Sequence, residues 1–190
     1  MKNEVWMIPE YAELTDQQTE LISKTSFIIK HKKGELIFMQ NRPVSHVIYV
    51  KSGLVKLYKE IQGKTEIILD ILPAGQFAGL TSLFYDNLYP YSASSLEEGE
   101  LVYTGSSDFM ELIANNKKFG IYIMSLLSAR VINMIDRVIS LTKKQVPGRM
   151  AEMLLHFSKD IYKSDAFILP ISRTEIAELI QATKETVSRT

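Results

Sequence analysis

A chain of 190 residues has room for one large or two smaller domains, and its 46% hydrophobic content can furnish real cores. Its 22 Lys and Arg balance 22 Asp and Glu, so attraction to nucleic acid would have to be local, and Lys143–Thr190 carries only eight basic against six acidic residues. The lack of cysteine excludes disulfides, thiolate zinc sites, cysteine-ligated iron–sulfur clusters and cysteine nucleophiles.

No apolar run approaches the ~18 residues of a membrane span. The start, MKNEVWMIPEYAEL, lacks the uninterrupted apolar stretch of a signal peptide. The expected compartment is the cytoplasm, with no membrane partner.

Thr15 with Gln18 forms a capping-box pattern that predicts a short leading helix toward Lys24. From Ser26 to about Thr104, short β-type runs follow one another: Phe27–Lys30, Leu36–Met39, Val47–Val50, Leu54–Lys59, Glu66–Leu72 and Glu100–Tyr103. Turns bearing Gly34, Gly53, Gly63, Gly75 and Gly99 separate them, and Gly63 in IQGKTE is a hairpin signal. Strands this short at this spacing predict a small barrel or sandwich.

Ser107 is expected to cap a short helix through Ala114. From about Lys117 to Lys144 there is no proline, and Met124, Leu127, Val131, Met134, Val138 and Leu141 recur at spacings of 3,4,3,4,3. This heptad seam predicts a helix packed lengthwise against a partner, read here as the dimer interface. A second stripe, Ile123, Leu126, Ile132, Ile135 and Ile139, runs beside it and would lie on the barrel. Gln145-Val146-Pro147-Gly148 is expected to break the helix and act as a hinge. Helical pattern resumes over Arg149–Ile161, and Phe167–Pro170 reads as extended.

The last twenty residues, ISRTEIAELIQATKETVSRT, read as a helix-turn-helix. Ser172 with Glu175 is a capping box, Ile176, Leu179 and Ile180 form the buried stripe, and Thr183 caps a second helix. Recognition helices of this kind present N-terminal residues to base edges. Arg189 suits guanine O6 and N7, Glu185 a cytosine amino group, and Ser188 a base or a phosphate. Arg173, Thr183, Lys184 and Thr186 are candidates for phosphate contacts that fix register. The competing reading is a solvated helix pair closed by a Glu185–Arg189 ion pair.

A β-roll, a long interface helix, a hinge and a terminal helix-turn-helix resemble the Crp/Fnr family of bacterial transcription regulators. The resemblance rests on IYVKSGLVKLYKE, PAGQFAGLTSLF, VPGRMAEMLL and the terminal segment. It implies an α+β chain: an N-terminal double-stranded, cyclic-nucleotide-binding-like β-roll (residues 1–115), a dimerisation helix (116–145) and a winged-helix-type module lacking its wing (146–190). Glu185, Ser188 and Arg189 match the base-contacting set of the Fnr branch.

The effector pocket implied by the family transfers less well. Gly79 is present, but Leu80 stands where cyclic-AMP binders place Glu, and Tyr91 stands at the Arg position before a matching Ser92. Met134 and Ile135 replace the hydroxyls expected to touch the purine. A phosphate buried without its cation is heavily penalised, so cyclic AMP is not expected. An unidentified, more apolar effector near Gly79, Tyr91 and Ser92, or a pocket that has lost its ligand, remain open. His31 on a turn and His46 at a strand start read as surface or satisfied histidines rather than haem ligands, and His156 reads as structural. No cofactor and no metal is expected.

These readings converge on a homodimeric regulator of near-palindromic double-stranded DNA, with RNA polymerase as a further partner. The alternative is a β-roll ligand sensor acting through protein contacts. No enzymatic constellation is present. Only about seven residues follow Thr183 and no wing follows, so the 190-residue form is expected to be truncated and weak in DNA binding.

Overall fold

The computed structural model describes residues 14–61 and 65–190. The predicted hairpin at Gly63 and the leader reading of the first residues fall outside that range.

The leading helix α1 (Asp16–Thr25) opens on the expected capping box. The Gln18 N–H donates to the Thr15 hydroxyl, and the Thr15 N–H donates to the Gln18 side chain. Among the described residues eight strands follow: β1 (Ser26–His31), β2 (Leu36–Phe38), β3 (His46–Val50), β4 (Val55–Ile61), β5 (Thr65–Leu72), β6 (Phe77–Ala78), β7 (Ser92–Ser95) and β8 (Gly99–Gly105). They form two antiparallel four-stranded sheets, ordered β1-β8-β3-β6 and β2-β7-β4-β5.

Side-chain alternation divides β3 between two cores. Val47 and Tyr49 face outward with Phe77 and Val102 onto helices, meeting Ile22, Phe109, Phe119, Tyr122 and Ile123. Ile48 and Val50 face inward, joining Phe38, Val55, Leu57, Tyr89 and Tyr103 between the sheets. A third core runs beneath the second sheet, where Leu54, Ile68, Ile71 and Leu96 meet Phe157, Ile176, Ala177 and Ile180 of the C-terminal region. The helix-turn-helix therefore packs on its own roll.

β6 and β7 were not foreseen, being two residues long and a serine-rich SASS run. All of β7 is buried because it lies between β2 and β4. The capping expectation for Ser107 is corrected. Helix α2 (Ser106–Asn115) begins two residues earlier than a Ser107 cap would place it, with Gly105 as N-cap and no side-chain cap.

Helix α3 (Lys117–Lys143) is the predicted long helix, capped by the Asn116 side chain accepting the Phe119 N–H at 2.9 Å. The predicted break is shorter than its sequence suggested. Only Lys144 and Gln145 are non-helical, and Pro147 and Gly148 lie in the first turn of α4 (Val146–His156). Proline belongs there because the first-turn N–H groups need no helical partner. One π-turn, Phe157–Ile161, ends that segment, and α5 (Arg173–Ile180) and α6 (Lys184–Arg189) complete the chain.

Candidate nucleic-acid interface and roll interior

Both sequence-predicted caps of the terminal module form. The Glu175 N–H donates to the Ser172 hydroxyl at 3.2 Å, and the Ser172 N–H returns to the Glu175 carboxylate at 2.9 Å. Between α5 and α6 the chain turns through Gln181, at φ 50° and ψ 60°. The Ala182 N–H then donates to the Ala177 carbonyl at 2.8 Å, the long-range bond of a Schellman turn. Val187 anchors α6 in the third core beside Ile176, Ala177 and Ile180.

That anchoring sets the outward face of α6. Glu185, Ser188 and Arg189 are exposed, as are Lys184, Thr183 and Arg173, while Thr186 is half-buried. The rival Glu185–Arg189 ion pair does not form among the described residues; the salt bridges lie elsewhere. Thr183 and Thr186 are already engaged, since the Thr183 hydroxyl accepts the Thr186 N–H at 3.2 Å and lies 3.0 Å from the Thr186 hydroxyl.

The roll positions have the opposite character. Gly79 sits at φ 78° before a 3-10 turn, and a Cβ there would lie 3.0 Å from the Tyr89 ring. Leu80 is 1% exposed within the first core. The Tyr91 hydroxyl is 2.8 Å from the Thr81 hydroxyl, and the buried Ser92 hydroxyl accepts the Gln40 N–H at 3.0 Å. Phe38 stacks on Tyr89 at 4.0 Å, so aromatic rings fill the space between the sheets. Met134 and Ile135 stand apart, exposed on α3.

The three histidines sit in different settings. His31 ends β1 rather than lying on a turn, and it is buried with its Nε2 2.8 Å from the Tyr103 hydroxyl. Burial lowers its pKa, with Glu35 opposing weakly. His46 begins β3 as expected, and His156 closes α4 beside Asp160 at 2.8 Å.

Helix α3 divides lengthwise. Its first turns bury Phe119, Tyr122 and Ile123, with Leu126 and Leu127 packed against the same core. Beyond them Met124, Val131, Met134 and Val138 are exposed, together with Ile132, Ile135 and Ile139. Leu127 and Leu141 of the predicted seam are half-buried in their own chain, and the second stripe covers the roll only at Ile123 and Leu126. The helix is long and apolar enough to cross a membrane, with a mean hydropathy of 1.3. Yet Arg130 donates to the Phe77 carbonyl, and Arg137 to those of Ile68, Leu69 and Leu179, so the helix is tied to folded chain at these two points.

Two family models match this chain in order: a cyclic nucleotide-binding domain over residues 28–116 and a Crp-like helix-turn-helix domain over residues 148–190. The chain belongs to the Crp/Fnr family. Its relatives include the transcriptional activator protein FnrA of Stutzerimonas stutzeri, 28% identical over 162 residues, 83% of this chain. The match covers 66% of FnrA, so the chain spans just under two thirds of that relative's length. The cAMP-activated global transcriptional regulator CRP of Salmonella typhimurium is 27% identical over 183 residues, 92% of this chain and 85% of that protein.

Among solved structures, the c-di-GMP-responsive regulator CLP of Xanthomonas campestris superposes with a TM-score of 0.77 at 20% identity, covering 92% of this chain and 89% of that one. The catabolite activator protein of Thermus thermophilus gives 0.57 at 25%, covering 93% and 81%. The Crp/Fnr fold of roll, long helix and helix-turn-helix is thus shared across relatives whose names record different effectors.

Missed by sequence reasoning were the polar groups that hold the helix-turn-helix on the roll. Lys56 on β4 is buried, 3.0 Å from Glu175 and 3.1 Å from Glu66. Burial alone would lower the Lys56 pKa, but hydrogen bonds to Glu175 and Glu66 hold it above the usual value. Burial likewise pushes Glu175 up, and the Ser172 N–H with Lys56 outweighs it, leaving the carboxyl below its ordinary range. Glu178 has no such help. Burial raises it, against a weaker pull from Lys56, and its Oε2 is buried without a partner.

The α3–α4 junction is braced too. Glu152 accepts from Lys144 at 2.8 Å and from the Ser140 hydroxyl. Beside it opens a cleft of about 770 Å³ lined by Asp70, Arg130, Arg137, Arg149 and His156 among others.

Proposed function

We propose that this chain is a sequence-specific, homodimeric, cytoplasmic transcription regulator of the Crp/Fnr type. The observation that carries the reading is the outward face of α6. Glu185, Ser188 and Arg189 stand exposed, and Glu185 and Arg189 do not pair, on a helix whose opposite side is anchored through Val187. Polar groups with no partner among the described residues are free to read base edges. The exposed apolar seam of α3, Met124 through Val138, supports a twofold dimer, because a patch of that extent is rare on a monomer. Two α6 helices related by that axis would then meet successive major grooves about one DNA turn apart, on a near-palindromic operator. RNA polymerase is the further partner this reading implies.

Any effector is distinct from cyclic AMP. Leu80 occupies the first core, and Tyr91 and Ser92 are bonded within the roll, so these positions offer neither an acid for a ribose hydroxyl nor a cation for a cyclic phosphate. The test is selection of bound duplexes from a random library, followed by a salt titration of the best one. Enrichment of a near-palindrome with a steep salt dependence is expected, because phosphate neutralisation releases counterions. An absence of enrichment, or an Arg189→Ala variant that keeps the parent's base preference, would sink the assignment. Effector-dependent protein capture with no duplex bound would favour the ligand-sensing alternative.

A further inference from the structure

Arg137 joins three elements. Its guanidinium donates to the Ile68 carbonyl at 2.7 Å, to that of Leu69, and to the Leu179 carbonyl at 3.0 Å. Each acceptor is free for a local reason. β5 is an edge strand, and the pairing of Leu57 with Asp70 but of Tyr58 with Ile68 leaves Leu69 as the extra residue of a bulge. A bulge interrupts the ladder, and an edge leaves carbonyls unpaired. Leu179 lies in the last turn of α5, where helix carbonyls have no partner in the helix. An arginine has enough N–H groups in a fixed fork to satisfy all three, which a lysine ammonium would not reproduce.

The other end of α5 is gripped from β4. Glu175, third residue of the helix, uses one carboxylate oxygen for the Ser172 N–H and the other for Lys56. Between the two grips, Ile176, Ala177 and Ile180 lie in a core shared with Leu54, Ile68 and Ile71 of the roll. Helix α5 is thus held at its N-terminus, middle and C-terminus by the chain's own second sheet and by α3. Helix α6 follows α5 through the Schellman turn and Val187.

We propose that Arg137 is a positioning residue for DNA reading, fixing α6 relative to α3 and so setting the spacing between the half-sites a dimer accepts, with Lys56 its counterpart at the other end of α5. This rests on the regulator reading and deepens it. The roll reaches α5, and through it the reading helix, by way of β4 and β5, in parallel with the Lys144–Gln145 junction.

The experiment uses the full chain and duplexes whose two half-sites are moved apart one base pair at a time. Each added pair rotates one half-site by roughly 34° about the duplex axis, so a rigid dimer should prefer one spacing by about tenfold or more. Arg137→Gln should flatten that preference while keeping the base preference inside each half-site. It should also speed hydrogen exchange of the α5 amides by about tenfold, while those of β3 stay protected. Lys56→Met should do the same from the far end, and it carries the test if Arg137→Gln does not fold.

Unchanged spacing preference with unchanged α5 protection in these variants overturns the proposal. A loss of base preference inside the half-site overturns it as well, since that would mark a general structural role. If the parent chain binds no duplex, the regulator reading fails, and α5 exchange alone then decides whether Arg137 holds the helix.

Discussion

The roll interior and the face of α6 treat polar atoms in opposite ways. Between the sheets they are committed: the Ser92 hydroxyl to the Gln40 N–H, Tyr91 to Thr81, and the Tyr89 hydroxyl to the His46 carbonyl at 2.7 Å. On α6 the side chains of Glu185, Ser188 and Arg189 point to solvent, and Glu185 and Arg189 do not pair. Burial of an unsatisfied polar group is costly, so an interior built to await a charged ligand keeps a donor or cation in reserve. Here stacked aromatic rings fill that region instead, and Leu80 lies in the apolar core between the roll and the helices. The outer helix leaves charged side chains free in solvent, whereas Tyr89, Tyr91 and Ser92 of the roll are already bonded.

The harshest way to break this contrast is to restore the missing acid and cation with Leu80→Glu and Tyr91→Arg together. Leu80 is 1% exposed in an apolar core, so the carboxylate should cost about 3–5 kcal/mol and the double variant should melt far below the parent without binding cyclic AMP. Calorimetric titration that finds cyclic AMP bound by a stable double variant would show that the roll retains the pocket after all.

On the other side of the contrast, Arg189→Ala should cost about 1–3 kcal/mol of specific binding and relax preference at one base position. Lys184→Ala should weaken all duplexes about equally and lower the salt slope by about one, because a backbone contact carries no sequence information. Binding isotherms at several salt concentrations separate the two.

Acid should loosen the seat of α5. Glu175 has a depressed pKa, so its contribution is complete above the ordinary carboxylate range and is lost as pH falls through the lowered value. The raised Lys56 contributes fully below the usual lysine value of 10.5 and loses that contribution only as pH rises through its higher one. Glu178 and Asp70, both raised by burial, act in the opposite sense, since protonating them relieves a penalty. Glu66 also faces Lys56, as does the Tyr58 ring at 4.9 Å. Protection of the α5 amides, taken relative to the intrinsic exchange rate at each pH, should fall between pH 7 and pH 4 more in the parent than in Lys56→Met, where the clamp is already gone. Equal acid sensitivity in the two would show that the clamp contributes little.

The legible parts of the sequence were those governed by near neighbours. The capping boxes at Thr15 and Ser172, the N-cap at Thr183 and the length of α3 follow from residues three or four apart. β7 escaped because its burial comes from being flanked by β2 and β4, not from apolar side chains. The hinge was overdrawn because Pro147 reads as a breaker, although a helix tolerates proline in its first turn. Lys56 and Arg137 were invisible as functional groups. The partner of Lys56 on the helix-turn-helix, Glu175, lies 119 residues away and those of Arg137 lie 42 to 69 residues away, and only the fold brings them together.

The smallest effect concerns the joint on which α6 turns. Gln181 adopts φ 50° and ψ 60°, a conformation that crowds the Cβ of most residues and that glycine occupies without strain. Gln181 is exposed and none of its side-chain atoms is needed by the turn, whose bonds are the Gln181 and Ala182 N–H groups to the Glu178 and Ala177 carbonyls. Gln181→Gly should therefore relieve about 0.5–1 kcal/mol of strain, partly offset by the greater freedom of glycine in the unfolded chain. A small rise in melting temperature with base preference intact is expected. A fall in stability, or an altered preference, would mean that the glutamine side chain itself sets the angle at which α6 leaves α5, and the interface would then extend from the helix into the turn.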